Sequence, residues 1–302
     1  MPFGPYDDVE MLVQAELLLD ARAQLGEGPC WLAGRERLLW VDIMAGRVHL
    51  LDPKTGDDQV AEVGQPVGAA APADDGRVAL AVRDGFAVLD LDDGHVELIA
   101  EVEREIAGNR MNEGKCDSAG RFWAGTMALD HRRGAGALYR LDERRHVERM
   151  VEGISISNGL GWSPDDRLMY YIDTPERRVD VFDFDPAAGT IGGRRPFVAI
   201  DGAGHPDGMT VDAEGGLWVA LWGGGRIAHF LPDGTPAGGV EVPVAQTSSC
   251  CFGGPGLRDL YITTAWQGVP PDRRELHAGS LFRCRPGVAG QPTREYRTGT
   301  VG

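Results

Sequence analysis

The chain has 302 residues, 42% hydrophobic and 25% charged, with 43 Gly and 19 Pro, a composition that excludes a disordered or long-helical protein and fits a globular one with many turns. Its formal net charge of −16 repels nucleic-acid phosphate and anionic lipid, and the short Arg pairs at 132–133, 144–145 and 194–195 read as solvated surface, so neither nucleic acid nor a membrane is expected as a partner. No apolar run approaches the ~20 residues of a membrane span, and the acidic start MPFGPYDDVEMLVQAELLLD lacks the basic head and apolar core of a signal peptide, so a cytoplasmic location is expected.

In chain order, residues 1–14 are expected to be a flexible N-terminal segment, and helical periodicity shows only weakly, over 9–19. From there one phrase recurs: a small or polar residue, a short apolar strand, a turn of Asp, Gly or Pro, then an aromatic or β-branched strand. Its copies are EGPCWLAGRERLLW (27–40), GAAAPADDGRVALAV (68–82), NEGKCDSAGRFWAG (112–125), NGLGWSPDDRLMYY (158–171), DGMTVDAEGGLWVA (207–220) and SSCCFGGPGLRDLYIT (248–263). The starts lie 41, 44, 46, 49 and 41 residues apart, the length of one four-stranded propeller blade. Further strands are expected at 47–51, 86–91, 137–141, 179–184, 226–231 and 280–284, with turn signals at Asp52-Pro53, Asp92-Asp93-Gly94, Asp185-Pro186 and Pro232-Asp233-Gly234. A Greek-key sandwich would share the short strands but not the sixfold period, so the sequence predicts an all-β, six-bladed propeller in which 1–302 form a single domain. The five cysteines are odd in number and have no C-x-x-C spacing, so free buried thiols are expected.

Pseudo-symmetry brings residues at one offset of each repeat to one ring around the axis. At the first position these are Glu27, Gly68, Asn112, Asn158, Asp207 and Ser248. Two carboxylates and two carboxamides then converge, an oxygen-rich set suited to a hard or borderline divalent cation and too poor in His and Cys for a structural zinc site. Singly, Asn158-Gly159 and Asp207-Gly208 read as turn formers; together in a ring with Glu27, a poor turn former, they read better as ligands of a central metal.

The chain resembles the senescence-marker-protein, gluconolactonase and regucalcin family of sugar lactonases. The resemblance runs from about Leu25 to Arg283, on LGEGPCW (25–31), WVDI (40–43), NRMNEGKCDSAGRFWAGTM (109–127), GALYRL (136–141), ISNGLGWSPDDRLMYYIDT (156–174), HPDGMTVDAEGGLWVALWGGGRI (205–227) and TSSCCFGG (247–254). It implies that Glu27, Asn158 and Asp207 hold one divalent ion, whether calcium, zinc, manganese, magnesium or iron(II), and that Arg110 and Asn112 bind substrate. It also implies, on a looser match, a substrate contact at Asp130. The substrate it implies is a small sugar lactone of the glucono-, xylono-, arabinono- or galactonolactone type. Asp207 is the first candidate for the general base and Glu27 the second, although coordination to a cation lowers a carboxylate's pKa and weakens either as a base.

His205 is a second possible base or a residue of the pocket rim, and Trp222 a pocket wall or an interblade packing residue. No G-x-S-x-G elbow or phosphate-cradling loop occurs, so serine-triad and nucleotide chemistry are unsupported. The alternatives are a metal-dependent propeller hydrolase of other esters or aromatic lactones, and a non-enzymatic calcium-binding propeller. A closed propeller buries its own edges, so a monomer or a weak homo-oligomer is expected.

Overall fold

Residues 12–299 are described by the structure, a computed structural model, and their strands form six sheets, each with a four-stranded antiparallel core, arranged as the blades of a propeller. The first blade holds Gly26–Leu32, Arg37–Asp42, Arg47–Leu51 and Asp58–Glu62, ordered from the axis outward. The second holds Val67–Pro72, Val78–Val82, Gly85–Leu89 and Val96–Glu101, and the third Asn109–Cys116, Phe122–Ala128, Gly136–Leu141 and Val147–Ile154. In the fourth come Ser157–Trp162, Leu168–Asp173, Arg178–Asp185 and Thr190–Ala199, and in the fifth His205–Val211, Leu217–Trp222, Arg226–Phe230 and Pro236–Glu241. The sixth takes Thr247–Gly253, Asp259–Thr264 and Leu281–Cys284 from the end of the chain and its outer strand, Glu16–Leu19, from the beginning.

That last pairing closes the ring. Leu17 faces Phe282 and Glu16 faces Arg283 in an antiparallel ladder, while Leu18 and Leu19 pack beside Trp31, Trp40 and Tyr261. The weak helical reading of 9–19 is therefore corrected over its described part. Leu12–Gln14 run parallel to Gly239–Glu241 on the fifth blade and Glu16–Leu19 pair with the sixth, because two open sheet edges supply backbone partners that a short helix lacks. Of the segment expected to be flexible, 1–11 lie outside the described residues and Leu12–Gln14 form that strand.

Inner strands are buried on both faces and correspondingly small or apolar, as in VGAAAP and VALAV of the second blade. Between blades, Trp123, Trp162 and Phe184 meet edge to face or tilted, and Phe86 meets Phe122. The first turn is clasped in two blades by one device: Asp117 and Asp212 accept backbone N–H groups of their own turns and the indole N–H of Trp123 and Trp218, at 2.8 and 2.9 Å. Among the described residues, helix is limited to three short 3-10 turns, none long and apolar enough to cross a membrane.

The far end of the channel is crossed by residues 285–299, beyond the last repeat. Gly290 bonds to the Leu257 carbonyl, Gln291 Nε2 to that of Trp162, Tyr296 N to that of Pro72 and Tyr296 Oη to that of Asp142. Ala213 N bonds back to Ala289, and Thr293 lines the axial cavity beside Cys30, so this strap touches all six blades. Removal of residues 1–19 should leave Leu281–Cys284 as a bare edge, lower the Tm by roughly 5–10 °C and promote self-association. Scanning calorimetry and light scattering check this; an unchanged Tm in a monodisperse sample would contradict the closure argument.

Candidate metal and catalytic site

Each of the six inner strands breaks register with its neighbour at the same place. The breaks fall between Glu27 and Cys30, Val67 and Ala69, Met111 and Gly114, Ser157 and Leu160, Pro206 and Met209, and Thr247 and Ser249. Every residue assigned to the axial ring, Glu27, Gly68, Asn112, Asn158, Asp207 and Ser248, sits at one of these breaks. A bulge turns a side chain out of the regular alternation, which is how polar groups reach the axis from strands otherwise packed on both faces. Gly68 lacks a side chain because a Cβ there would collide with the Asn112 carbonyl oxygen.

The approach to two ring positions is fixed by a carboxylate at the end of the second strand. Asp42 accepts the Gln24 and Leu25 N–H groups ahead of Glu27, and Asp173 accepts those of Ser155 and Ile156 ahead of Asn158. At the axis the polar groups are linked. Arg110 Nη1 donates to Asn112 Oδ1 at 2.6 Å and to the Met111 carbonyl at 2.9 Å. Asn112 Nδ2 donates to Asn158 Oδ1 at 3.0 Å and to the Ser157 carbonyl at 2.7 Å. Asn158 Nδ2 donates to Thr174 Oγ1 at 2.8 Å, and that hydroxyl donates to the Pro206 carbonyl at 2.8 Å, joining the fourth blade to the fifth just ahead of Asp207. Glu27 accepts the Gly28 N–H at 3.1 Å.

Charge is crowded here. Glu27, Glu113 and Asp207 are all at most 6% exposed. Burial, and then the charge of Glu113, push the Glu27 carboxyl up to about 8. Burial, followed by Glu27 and Glu113, raises Asp207 well above the carboxylate range. Glu113 is raised by burial and pulled back by Lys115. Burial lowers the Arg110 guanidinium to about 10, against the opposing pull of Glu27 and Asp207. Three buried carboxylates facing two cations are short of positive charge, and both Glu113 oxygens lack a hydrogen-bond partner among the described residues. A divalent cation suits that deficit. No group of three or more His, Cys, Asp and Glu side chains among the described residues is placed to hold a metal, so a site would need the Asn158 amide oxygen beside Glu27 and Asp207, an all-oxygen set fitting a hard cation.

Residues 25–266 match the model of the SMP-30/gluconolactonase/LRE-like region. This chain belongs to that family. A Bacillus subtilis protein, provisionally named as the sugar lactone lactonase YvrE, is 36% identical over 282 residues, covering 92% of this chain and 97% of its own. Among solved structures, a calcium-binding regucalcin of Agrobacterium tumefaciens superposes with a TM-score of 0.90 at 29% identity, covering 95% of this chain and 99% of its own. A gluconolactonase of Xanthomonas campestris gives 0.72 at 25% identity over 89% of this chain and 88% of its own.

Within this family framework the remaining residues sort by burial. Arg110 and Asn112 lie in the axial network, whereas Asp130 is exposed on the loop after Phe122–Ala128, where its carboxylate accepts the Arg132 N–H at 3.1 Å. His205 is exposed at the rim with Nδ1 3.1 Å from Arg177 Nη1, and Trp222 is half-buried against the cluster of Leu25 and Ala265. Three residues of the site were missed by sequence reasoning: Glu113, Lys115 and Thr174. The first was legible, since a bulge exposes two consecutive residues to the axis and Glu113 follows Asn112; the other two depend on contacts across blades. All five cysteines are free, and Cys30, Cys116 and Cys251 line a cavity of about 110 Å³ between the ring and the strap.

A carboxyl whose pKa rises on folding holds its proton more tightly in the folded chain, so its stabilising effect is complete below about pH 4.5 and is lost as pH rises through about 8. Chelator-treated protein should therefore melt at a lower temperature at pH 8.5 than at pH 6, and Glu27→Gln should flatten that dependence. Equal slopes for the two proteins would contradict the charge deficit. At Gly208 a Cβ would collide with Ser249 Oγ and stand 2.8 Å from Glu113 Oε2, so Gly208→Ala should cost about 1–3 kcal/mol, measured by denaturant unfolding.

Proposed function

We propose that this chain is a metal-dependent lactonase that opens a sugar-acid lactone to the free aldonic acid, with Glu27, Asn158 and Asp207 holding one divalent ion. What carries the reading is the convergence of these three oxygen-bearing side chains at equivalent register breaks, in a buried and charge-deficient setting, in a chain of this family. The names of the Bacillus and Xanthomonas relatives support the lactone, and that of the Agrobacterium regucalcin supports a divalent cation. A bound ion would supply Lewis-acid polarisation of the lactone carbonyl and stabilise the charge that develops on its oxygen.

Arg110 and Asn112 orient the sugar hydroxyls and the lactone oxygens, since the hydrogen bond that Arg110 donates to Asn112 fixes both heads at the axis. Asp207 takes the proton of the attacking water as its oxygen bonds to the carbonyl carbon. The same proton passes to the ring oxygen as the carbon–oxygen bond to it breaks, giving a hydroxy acid. Asp130, on the exposed loop, meets the outer part of a substrate. The protein acts in the cytoplasm as a monomer or weak homo-oligomer, without nucleic-acid or membrane partners.

Chelated protein should lose hydrolysis of glucono-, galactono-, xylono- and arabinono-lactones, followed by proton release. Calcium, zinc, manganese, magnesium or iron(II), added singly, should restore it in the wild type. Asp207→Ala should stay at least ~10²-fold lower, the usual size of a general-base contribution. Rates at the spontaneous level with every ion would overturn the lactonase, leaving hydrolysis of other esters or calcium binding alone.

A further inference from the structure

The bulge that sends Asn112 to the axis also frees Glu113, which turns toward the fifth blade. Its Oε2 lies 2.8 Å from where a Cβ of Gly208 would stand, directly beside the residue that follows Asp207. The side chain is 2% exposed, and neither oxygen has a hydrogen-bond partner among the described residues. Ser249 Oγ, also unpartnered, crowds the same point. A salt bridge joins Glu113 Oε1 to Lys115 Nζ at 3.4 Å, and Lys115 also donates to the Met209 carbonyl, two residues beyond Asp207. A buried carboxylate with no hydrogen bond is costly, and one cation at that distance compensates it only in part.

We propose that the Glu113–Lys115 pair, packed behind Asp207, sets how tightly the axial oxygen donors hold a divalent cation. This rests on the metal-dependent reading of the axial site. With all three carboxylates ionised, as a bound cation favours, Glu27, Asp207 and Glu113 bring three negative charges against the two positive ones of Arg110 and Lys115, so a divalent ion leaves the centre at +1. Removal of the Glu113 charge would leave a buried centre at +2. Lys115 opposes the ion directly and is paired with the Glu113 carboxylate. Glu113 and Lys115 are positioning residues: they tune the ion's electrostatic environment without needing to touch substrate. At the effective dielectric of about 20 that suits buried groups, a unit charge so placed shifts the Kd of a divalent ion by roughly tenfold or more.

The test is calorimetric titration of chelated full-length protein with Ca²⁺ and with Mn²⁺, alongside thermal melts of each variant. Glu113→Gln should raise the Kd about tenfold or more, Lys115→Met should lower it, and Lys115→Arg, which keeps the charge, should restore the wild-type value. A merely structural role would move Glu113→Gln and Lys115→Met in the same direction, and that result, or two unchanged Kd values, overturns the proposal. Should Lys115→Met fail to fold, Glu113→Gln against Lys115→Arg decides. Absence of any ion binding by the wild type would instead overturn the metal reading, and this inference with it.

Discussion

Six strands converging on one axis leave little room, and the way the chain relieves that crowding decides which side chains reach the centre. Each inner strand gives up its regular register at the same level, between Glu27 and Cys30 in the first blade and at the five equivalent places beyond it. Beyond the break the strands are largely buried, with small residues such as Ala69, Ala70, Ala71, Gly114 and Gly161 beside larger ones such as Trp31, Leu160 and Phe252. At the break, side chains that would have alternated into neighbouring blades turn inward instead. Where two blades come closest even a methyl group is excluded, as at Gly68 against Asn112 and at Gly125, whose Cβ would overlap Ser157 Oγ.

The polar centre made in this way is costly to bury and is held together by shared partners. Asn112 serves Arg110 with its oxygen and Asn158 with its nitrogen, and Asn158 in turn is held by Thr174. Each amide therefore has a fixed orientation, so its oxygen is directed without a mobile side chain having to be ordered when a ligand arrives. The carboxylates are less well compensated: Glu113 disfavours the charged forms of Glu27 and Asp207, and Arg110 and Lys115 are the cations set against them. A scaffold selected for stability alone would replace such a cluster with apolar groups.

Closure is achieved twice, by different ends of the chain. The N-terminal strand Glu16–Leu19 completes the sixth blade at its outer edge, far from the axis, and so locks the circumference. Residues 285–299 cross the far end of the channel and bond to successive blades, which locks the centre. Between the strap and the ring lies the thiol-lined cavity. Burial pushes Cys30 up to about 12 and Cys116 and Cys251 well above the usual thiol range, so these groups behave as small apolar filling.

The period of 41 to 49 residues, the alternation of short strands with Asp, Gly and Pro turns, and the polar residue opening each phrase were all local signals. They were enough to give the propeller, its six blades, and the axial placement of Glu27, Asn112, Asn158 and Asp207, because pseudo-symmetry converts equal offset into equal position. Only tertiary structure decided the rest. The strand pairing of Leu12–Gln14 and Glu16–Leu19 depends on edges offered by chain more than two hundred residues away. Asp130 and Asn112 look alike as polar residues in a motif, yet one is exposed on a loop and the other sealed in the axis. Glu113 and Lys115 acquire their meaning from Gly208 and Met209 on another blade. A repeat fixes where a backbone position falls around an axis, while the field a side chain feels there is the sum over neighbours from every blade, and no single stretch of sequence contains that sum.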